Sequence, residues 1–410
     1  MTINALKHSR LIAFACVVLV LFLLAACGEP SQEPDEPQLP APVSYTYVEP
    51  IKLNDGWTTA NAADLGVEVN RLEEMMESLP VRFDIVDSIA ISYQGSLILN
   101  ETVRTKLNVF DEWVANTDLD VHVLFSASKS LASLAVGIAI DQQIFSGVDE
   151  PFLGLFEYET YENWDERKND IQLEDVLTMR LGLAWNEWDP AYTSPDNQML
   201  QFYETETDFS KSMLDLPISA DPGTTFSYNT PAIVSLGQAI ENRSPLTLID
   251  FSFANVLAPL SISKVDVFRT PTGLPDLGRG LYLSTRDFLK FGQVYADGGV
   301  WNANRIVSES WVTSSFLPYT EFNWTNPEDY DWQVSGYGYQ WWLGYFEYEG
   351  QPIAAYVARG HGEQNLFVMP EIGLVVAVFS HAFNNGEGEL NQTFEMIAEF
   401  IIPAMPRLLE

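Results

Sequence analysis

The amino-acid sequence predicts an α+β fold, with one antiparallel sheet flanked by helices and an inserted helical region. Strand patterns lie near both ends of the chain, at residues 88–101 and 337–380, whereas helical patterns dominate residues 126–240. One antiparallel sheet completed by both ends of the chain, with helices between them, accounts for this order. We therefore expect one folded domain over residues 51–410, with its helical region spanning roughly 126–285.

Each element of this expectation has its own pattern. Two apolar runs around Gln94-Gly95 predict a β-hairpin at 88–101. Two further strand pairs are predicted at 337–360 and 364–380, and the second pair turns between Pro370 and Gly373. Apolar residues at helical spacing predict helices elsewhere, at 69–79, 284–299 and 390–405.

The N-terminus predicts a bacterial lipoprotein. Basic residues at Lys7 and Arg10 precede an apolar run over 11–26, as in a secretory signal peptide. The run ends in Leu-Ala-Ala before Cys27, which resembles the lipobox in which cleavage precedes a cysteine that is then lipidated. A transmembrane anchor is the alternative, although the run is marginal for spanning ~30 Å of hydrocarbon.

These features predict where the protein resides. Residues 1–27 are expected to form the signal peptide, and residues 28–50, rich in proline and glutamate, to form a linker. The protein is expected in the bacterial cell envelope, held to the membrane by lipid on Cys27. Gly28 after the cysteine favours the outer membrane or the periplasmic face if the cell is Gram-negative.

Composition excludes several classes of partner. The net charge is −36, from 57 acidic and 21 basic residues, so nucleic acid and anionic membrane surfaces are poor partners. The only cysteines are Cys16 and Cys27, so the mature chain has no internal disulfide and no thiol nucleophile. The sequence shows no histidine or cysteine cluster with metal spacing and no glycine-rich phosphate loop, so no metal or cofactor is expected.

The stretch FSASKSLASLAVGIAI (125–140) places a lysine in the first turn of an apolar helix. Residues i and i+3 share one helix face, so Lys129 can present its amine to the hydroxyl of Ser126. Burial lowers the pKa of a lysine, which a neutral amine acting as base requires. A second copy of the spacing, Ser261 to Lys264, leads into a strand-like segment instead of a helix, and we interpret it as accidental.

Two more segments complete a resemblance. Tyr228-Asn229-Thr230 precedes an amphipathic helix, and His361-Gly362-Glu363 lies at the entry to a strand. With the Ser126-to-Lys129 motif, their order and spacing resemble the serine β-lactamase and penicillin-recognising hydrolase family. The segment WNE at 185–187 is most similar to the family's class C and esterase-like branch, which includes 6-aminohexanoate-dimer hydrolases. The resemblance implies a β-lactamase/transpeptidase-like fold.

The resemblance also implies roles. Ser126 would form an acyl-enzyme, and Lys129 and Tyr228 would carry its proton to the leaving group. The backbone N–H groups of Ser126 and Gln364 would form the oxyanion hole. His122, in the run before Ser126, is expected to be a packing residue.

The remaining motif positions depart from the family pattern. His361 and Gly362 would line the oxyanion and substrate region, and Thr230, which replaces an asparagine, would contact substrate. Glu363 stands where the family has glycine, so its carboxylate is expected to repel a substrate carboxylate. Arg359 is expected to share the face of His361, two residues along a strand.

We therefore expect a serine hydrolase that cleaves small ester or amide bonds, with neutral or cationic substrates preferred over penicillins. One alternative is β-lactamase or D-Ala carboxypeptidase activity. A second is a binding protein of the same fold that has lost turnover, which the replacements at Thr230 and Glu363 suggest.

Overall fold

The computed structural model describes residues 44–113, 117–322, 332–383 and 391–406. All of them belong to one compact unit. The predicted signal peptide, Cys27 and most of the predicted linker lie outside the described residues. No helix within the described ranges is long and apolar enough to cross a bilayer.

Within the described residues, the main sheet has nine strands. Its spatial order is β1-β3-β2-β14-β13-β12-β11-β10-β9, and every pair is antiparallel except β1 with β3. The strands of this sheet are β1 Thr58–Thr59, β2 Val86–Tyr93, β3 Ser96–Thr102, β9 Thr320–Glu321, β10 Trp332–Tyr337, β11 Trp342–Tyr348, β12 Gln351–Gly360, β13 Gln364–Met369 and β14 Leu374–Ser380. Because β2 pairs with β14, strands from both ends of the chain complete one sheet, as the sequence predicts.

Two small sheets and a set of helices surround it. The small sheets are β4-β6-β5 and β7-β8, with β4 Val121–Val123, β5 Asp266–Val267, β6 Leu281–Ser284, β7 Val300–Trp301 and β8 Asn304–Arg305. The helices are α1 Val69–Arg82, α2 Val109–Trp113, α3 Ser128–Asp141, α4 Leu173–Leu177, α5 Gln198–Thr205, α6 Phe209–Leu214, α7 Thr230–Arg243, α8 Leu248–Ser252, α9 Thr285–Ala296, α10 Glu309–Ser315, α11 Gln392–Met396 and α12 Ile402–Ala404.

The two predicted hairpins form around residues with positive φ. Gln94 and Gly95, with φ of 48° and 76°, connect β2 to β3. Gly373, with φ of 64°, ends the turn between β13 and β14. Glycine adopts this left-handed conformation without the steric penalty that a Cβ brings.

One connection differs from the predictions, whereas the closing helix predicted at 390–405 is present. The stretch 337–342 is only partly a strand, because the chain leaves the sheet after Tyr337 and rejoins it at Trp342. Gln340 between them donates from its side-chain nitrogen to the carbonyls of Val176 and Leu177, which draws the connection onto α4. The closing helix is one continuous run in which a π-helical segment over Ile397–Ile401 joins α11 to α12.

The sheet separates two apolar cores. One core joins one sheet face to α3, α7 and α9, and the other joins the opposite face to α1 and the C-terminal helix. Strand residues alternate between the two faces, so Leu366 belongs to the first core and Phe367 to the second. Helix α3, which carries the Ser126 motif at its start, is buried along nearly its whole length.

Candidate active site

Ser126 lies at the point where a tight turn becomes a helix. A single 3₁₀ turn over Phe125–Ala127 runs directly into α3. Phe125 has a φ of 46°, which is unusual for a residue with a side chain. This sharp change of direction after β4 places Ser126 in the first turn, where backbone N–H groups have no intrahelical partner.

Lys129 lies directly beside Ser126 and is 1% exposed. Its Nζ atom donates to Ser126 Oγ at 2.9 Å and to the carbonyl oxygen of Gly278 at 2.7 Å. Burial lowers the pKa of Lys129 to about 8, while the charges of Glu187 and Asp276 act in the opposite direction. The structure therefore places an amine with a lowered pKa in contact with a serine hydroxyl.

Tyr228 completes this group from a third element. It immediately precedes α7, whose first turn is capped by the side chain of Asn229. The Lys129 Nζ atom lies 4.9 Å from the centroid of the Tyr228 ring. Trp188 and Trp342 stack on the tyrosine with centroid distances of 5.3 and 6.0 Å, so the ring is held in a fixed orientation.

Ser126 and Tyr228 open into the same cavity, whose volume is about 270 Å³. Aromatic side chains form much of its wall. The residues lining it are Ser126, Trp188, Tyr192, Tyr228, Val334, Trp342, Arg359, Gly360 and His361. A cavity of this size suits a small substrate, to which the aromatic side chains offer apolar contact and Ser126, Arg359 and His361 offer polar contact.

The end of β12 approaches the backbone before the serine very closely. A Cβ built on Gly360 would lie 2.0 Å from the carbonyl oxygen of Leu124, so only glycine fits at this contact. Gly360 pairs with Gln364 across the turn of residues 361–363. The buried Gln364 side chain donates to the carbonyls of Gly362 and Ser380, which fastens this turn to β14.

His361 and Gly362 lie within that turn. The His361 ring is close to Phe125, Tyr192 and Phe383, with centroid distances of 5.6, 6.2 and 5.9 Å. Gly362 has a φ of 77° and packs against Phe383. His361 is therefore beside Phe125, the residue before Ser126, and it lines the cavity itself. Gly362 does not line the cavity.

Thr230 occupies a different position from the substrate contact that the resemblance implies. It is 1% exposed, and its hydroxyl donates to Glu187 Oε1 at 2.5 Å while its backbone N–H donates to Glu187 Oε2 at 2.7 Å. Because both donors are directed at Glu187, Thr230 fastens the start of α7 to the loop that contains Glu187.

Glu363 turns away from the cavity, contrary to the expectation for its carboxylate. Its two oxygens accept hydrogen bonds from the backbone N–H groups of Gln392 and Thr393, at the first turn of α11. Burial raises the pKa of Glu363. The guanidinium of Arg359, a residue that also lines the cavity, lies 4.9 Å from the centroid of the Phe394 ring.

The turn at 361–363 explains why the Glu363 carboxylate points away from the cavity. Strand β12 ends at Gly360, and both Gly362 and Glu363 have positive φ. The alternation of a strand therefore does not continue through residues 361–363. Arg359 and His361 nevertheless both line the cavity.

The other motif candidates lie apart from this group. His122 is buried beside Asp87, with its Nε2 atom 3.0 Å from a carboxylate oxygen. Lys264 is exposed and forms an ion pair with Asp118. Within the described residues, no group of three or more histidine, cysteine, aspartate or glutamate side chains could hold a metal ion.

Besides the cavity-lining Trp188 and Tyr192, two residues that surround Lys129 and Thr230 were not predicted from the sequence. Glu187 lies in the WNE segment that carries part of the resemblance, but nothing in its spacing assigned it a role. Gly278, whose carbonyl accepts from Lys129, comes from a loop about 150 residues away along the chain, and no sequence pattern connects the two.

Comparisons with known proteins agree on one class. A family model described as Beta-lactamase matches residues 97–398. A 6-aminohexanoate-dimer hydrolase from Paenarthrobacter ureafaciens is 26% identical over 275 residues, which cover 64% of this chain and 66% of that protein. The chain thus matches just under two thirds of this relative's own length.

Solved structures share the fold. An octameric penicillin-binding protein homologue from Pyrococcus abyssi has a TM-score of 0.58 and 17% identity, with 82% of this chain and 77% of the other covered. A family VIII carboxylesterase has a TM-score of 0.57 and 13% identity, with 82% and 97% covered. At these identities the likeness concerns the fold alone, which is β-lactamase/transpeptidase-like.

The sheet, the inserted helices and the family match together define a protein of the β-lactamase-fold hydrolases. This chain belongs to the beta-lactamase family, a family of serine hydrolases, because the family model matches well over half of its length.

Proposed function

We propose that this protein hydrolyses small ester or amide bonds through an acyl-enzyme on Ser126. The observation that carries the proposal is the buried Lys129 amine, 2.9 Å from the Ser126 hydroxyl. A serine hydroxyl is a weak nucleophile until an adjacent base takes its proton. A lysine whose pKa is lowered to about 8 can supply that base near neutral pH.

The reaction follows from this placement. Ser126 Oγ attacks the substrate carbonyl carbon as its proton passes to the Lys129 amine. The proton then moves by way of the Tyr228 hydroxyl to the departing alcohol or amine, and the bond between carbonyl and leaving group breaks. Water attacks the resulting ester, and the reverse proton path releases the acid and restores the Ser126 hydroxyl.

The oxyanion would be held by backbone N–H groups. We assign these to Ser126, in the first turn before α3, and to Gln364, at the start of β13. Free N–H groups at a helix start favour negative charge. His361 and Gly362 would border the substrate, and Thr230 would act indirectly through Glu187.

The size and the aromatic wall of the cavity suit neutral substrates with short acyl chains. Its aromatic wall of Trp188, Tyr192 and Trp342 offers apolar contact. The carboxylate of Glu363 is removed from the site, so it neither repels an anionic substrate nor selects a cationic one. β-Lactamase or D-Ala carboxypeptidase activity is the second candidate, since the removal of Glu363 takes away one obstacle to a substrate carboxylate.

A covalent probe tests the proposal. A fluorophosphonate should modify Ser126 stoichiometrically, as located by mass spectrometry of peptides, and should leave Ser126→Ala unmodified. A chain that stays unlabelled over a broad pH range would instead be a binding protein that has lost turnover.

The substrate class needs a separate measurement. We expect kcat/KM to be higher for nitrophenyl butyrate than for a cephalosporin or a D-Ala-D-Ala peptide. A preference for either of the latter would establish the second candidate function.

We also propose that the protein is anchored in the cell envelope by lipid on Cys27. The signal-like run and the small residues before that cysteine support this. The Cys27→Ser protein should lose both its lipid and its membrane association in fractionated cells. Membrane association that persists after this change would contradict the lipid anchor.

A further inference from the structure

Glu187 is a buried carboxylate that the proposed reaction does not use. It is 2% exposed, yet four donors surround it. They are the Trp185 indole N–H at 3.3 Å, the Tyr192 hydroxyl at 2.9 Å, and the N–H and hydroxyl of Thr230. Both carboxylate oxygens of Glu187 therefore have hydrogen-bond partners despite their burial.

These bonds join two segments of the site. Trp185, Glu187 and Tyr192 lie in the loop before α5, whereas Thr230 follows Tyr228 by two residues. The same loop supplies Trp188, which stacks on the Tyr228 ring. Glu187 therefore fastens this loop to the tyrosine segment, together with the Ser227 hydroxyl, which donates to the Trp185 carbonyl at 2.7 Å.

The charge of Glu187 also reaches Lys129. The charged groups that act on Lys129 are Glu187, Asp276 and Arg279. Asp276 and Arg279 form an ion pair at 3.4 Å, so their opposite charges offset each other. The donors to Glu187 are all neutral, and its charge is left to favour the Lys129 ammonium.

We infer that Glu187 is a positioning residue for the proposed reaction, holding the Tyr228 segment in place and supplying the negative charge that balances the Lys129 ammonium. The inference rests on the proposed function and deepens it. Without Glu187, the lysine would lose its proton at a lower pH and would be a weaker base.

Glu187→Gln separates the charge from the hydrogen bonds. A glutamine oxygen can accept from Thr230 N–H and Trp185, and its NH₂ group can donate to the hydroxyl oxygens of Tyr192 and Thr230. The matched control is Thr230→Val, which removes one hydrogen bond and keeps the carboxylate.

The measurement is the rate at which an aryl fluorophosphonate labels Ser126 as a function of pH. The wild-type labelling rate should rise with pH to a plateau, and the midpoint of the rise should lie at a pH of about 8. In Glu187→Gln the rise should move about one pH unit lower, towards acid. In Thr230→Val the midpoint should stay and the plateau should fall about two- to tenfold.

A merely structural role for Glu187 would lower the plateau without moving the midpoint, and an unmoved midpoint in Glu187→Gln would overturn the inference. If that variant does not fold, Glu187→Asp keeps the charge and should retain the wild-type midpoint, and a midpoint that moves to lower pH there would overturn it equally. A wild-type chain in which Ser126 is never labelled would instead remove the proposed function.

Discussion

The motif Ser-x-x-Lys occurs twice in the chain, in two unlike environments. Ser126 and Lys129 lie at the start of a buried helix, with the amine in contact with the hydroxyl. Ser261 and Lys264 lie outside any helix, and Ser261 itself has a φ of 55°. The Lys264 side chain is 68% exposed and pairs with Asp118.

The two lysines consequently differ in their proton affinity. Burial lowers the pKa of Lys129 to about 8, whereas the hydrogen bond to Asp118 raises the pKa of Lys264. The spacing of serine and lysine alone therefore does not create a catalytic pair. A helix must bring the two side chains together, and a core must remove water from the amine.

The largest expected effect is the difference in turnover between variants of the two serines. Ser126→Ala should lower the turnover of nitrophenyl butyrate by about 10³-fold or more, because the nucleophile is lost. Ser261→Ala should leave turnover unchanged, since that hydroxyl has no buried amine beside it. Equal losses in the two variants would abolish the distinction between the motifs.

The second largest expected effect is the difference in kcat between variants of the two lysines. Lys129→Met keeps much of the side-chain volume and removes the base, so kcat should fall by about 10²- to 10⁴-fold. Lys264→Met removes only an exposed ion pair, which is worth about 1 kcal/mol or less, and its kcat should match that of the wild type. Full activity in Lys129→Met, measured with the same ester, would show that another group takes the proton.

The backbone before Ser126 provides a smaller test. Gly360→Ala should lower kcat/KM by about 10²-fold, because a Cβ 2.0 Å from the Leu124 oxygen must displace the turn that carries the serine. The matched control is Gly154→Ala, where the new Cβ meets no atom within 4 Å. Unaltered kcat/KM in Gly360→Ala would mean that this contact does not position Ser126.

The pH dependence should give the smallest effect. Because the base is neutral Lys129, the rate should fall about tenfold for each pH unit below about 8 and should level off above that value. The profile of Lys264→Met should overlay that of the wild type, since Lys264 stays protonated in this range. A flat profile in the wild type would be inconsistent with a neutral amine as base.

Much of the fold and part of the site could be predicted from the sequence. The hairpin at 88–101 and the pair at 364–380 follow from apolar runs separated by turn residues. The proximity of Lys129 to Ser126 follows from helix geometry, because i and i+3 positions are one turn apart. Glu363 could not be predicted in the same way, because the turn at 361–363 interrupts the strand and directs its carboxylate to α11.

The α+β class, the family and the Ser126 and Lys129 pair can be recognised from the sequence alone, because they depend on local periodicity and on motif order along the chain. The folded structure was needed to show that Gly278 accepts from Lys129, that Thr230 and Tyr192 enclose Glu187, and that Glu363 faces the C-terminal helix. These contacts join segments that are far apart in sequence or lie in irregular turns. Their geometry depends on packing between elements, and no local pattern encodes it.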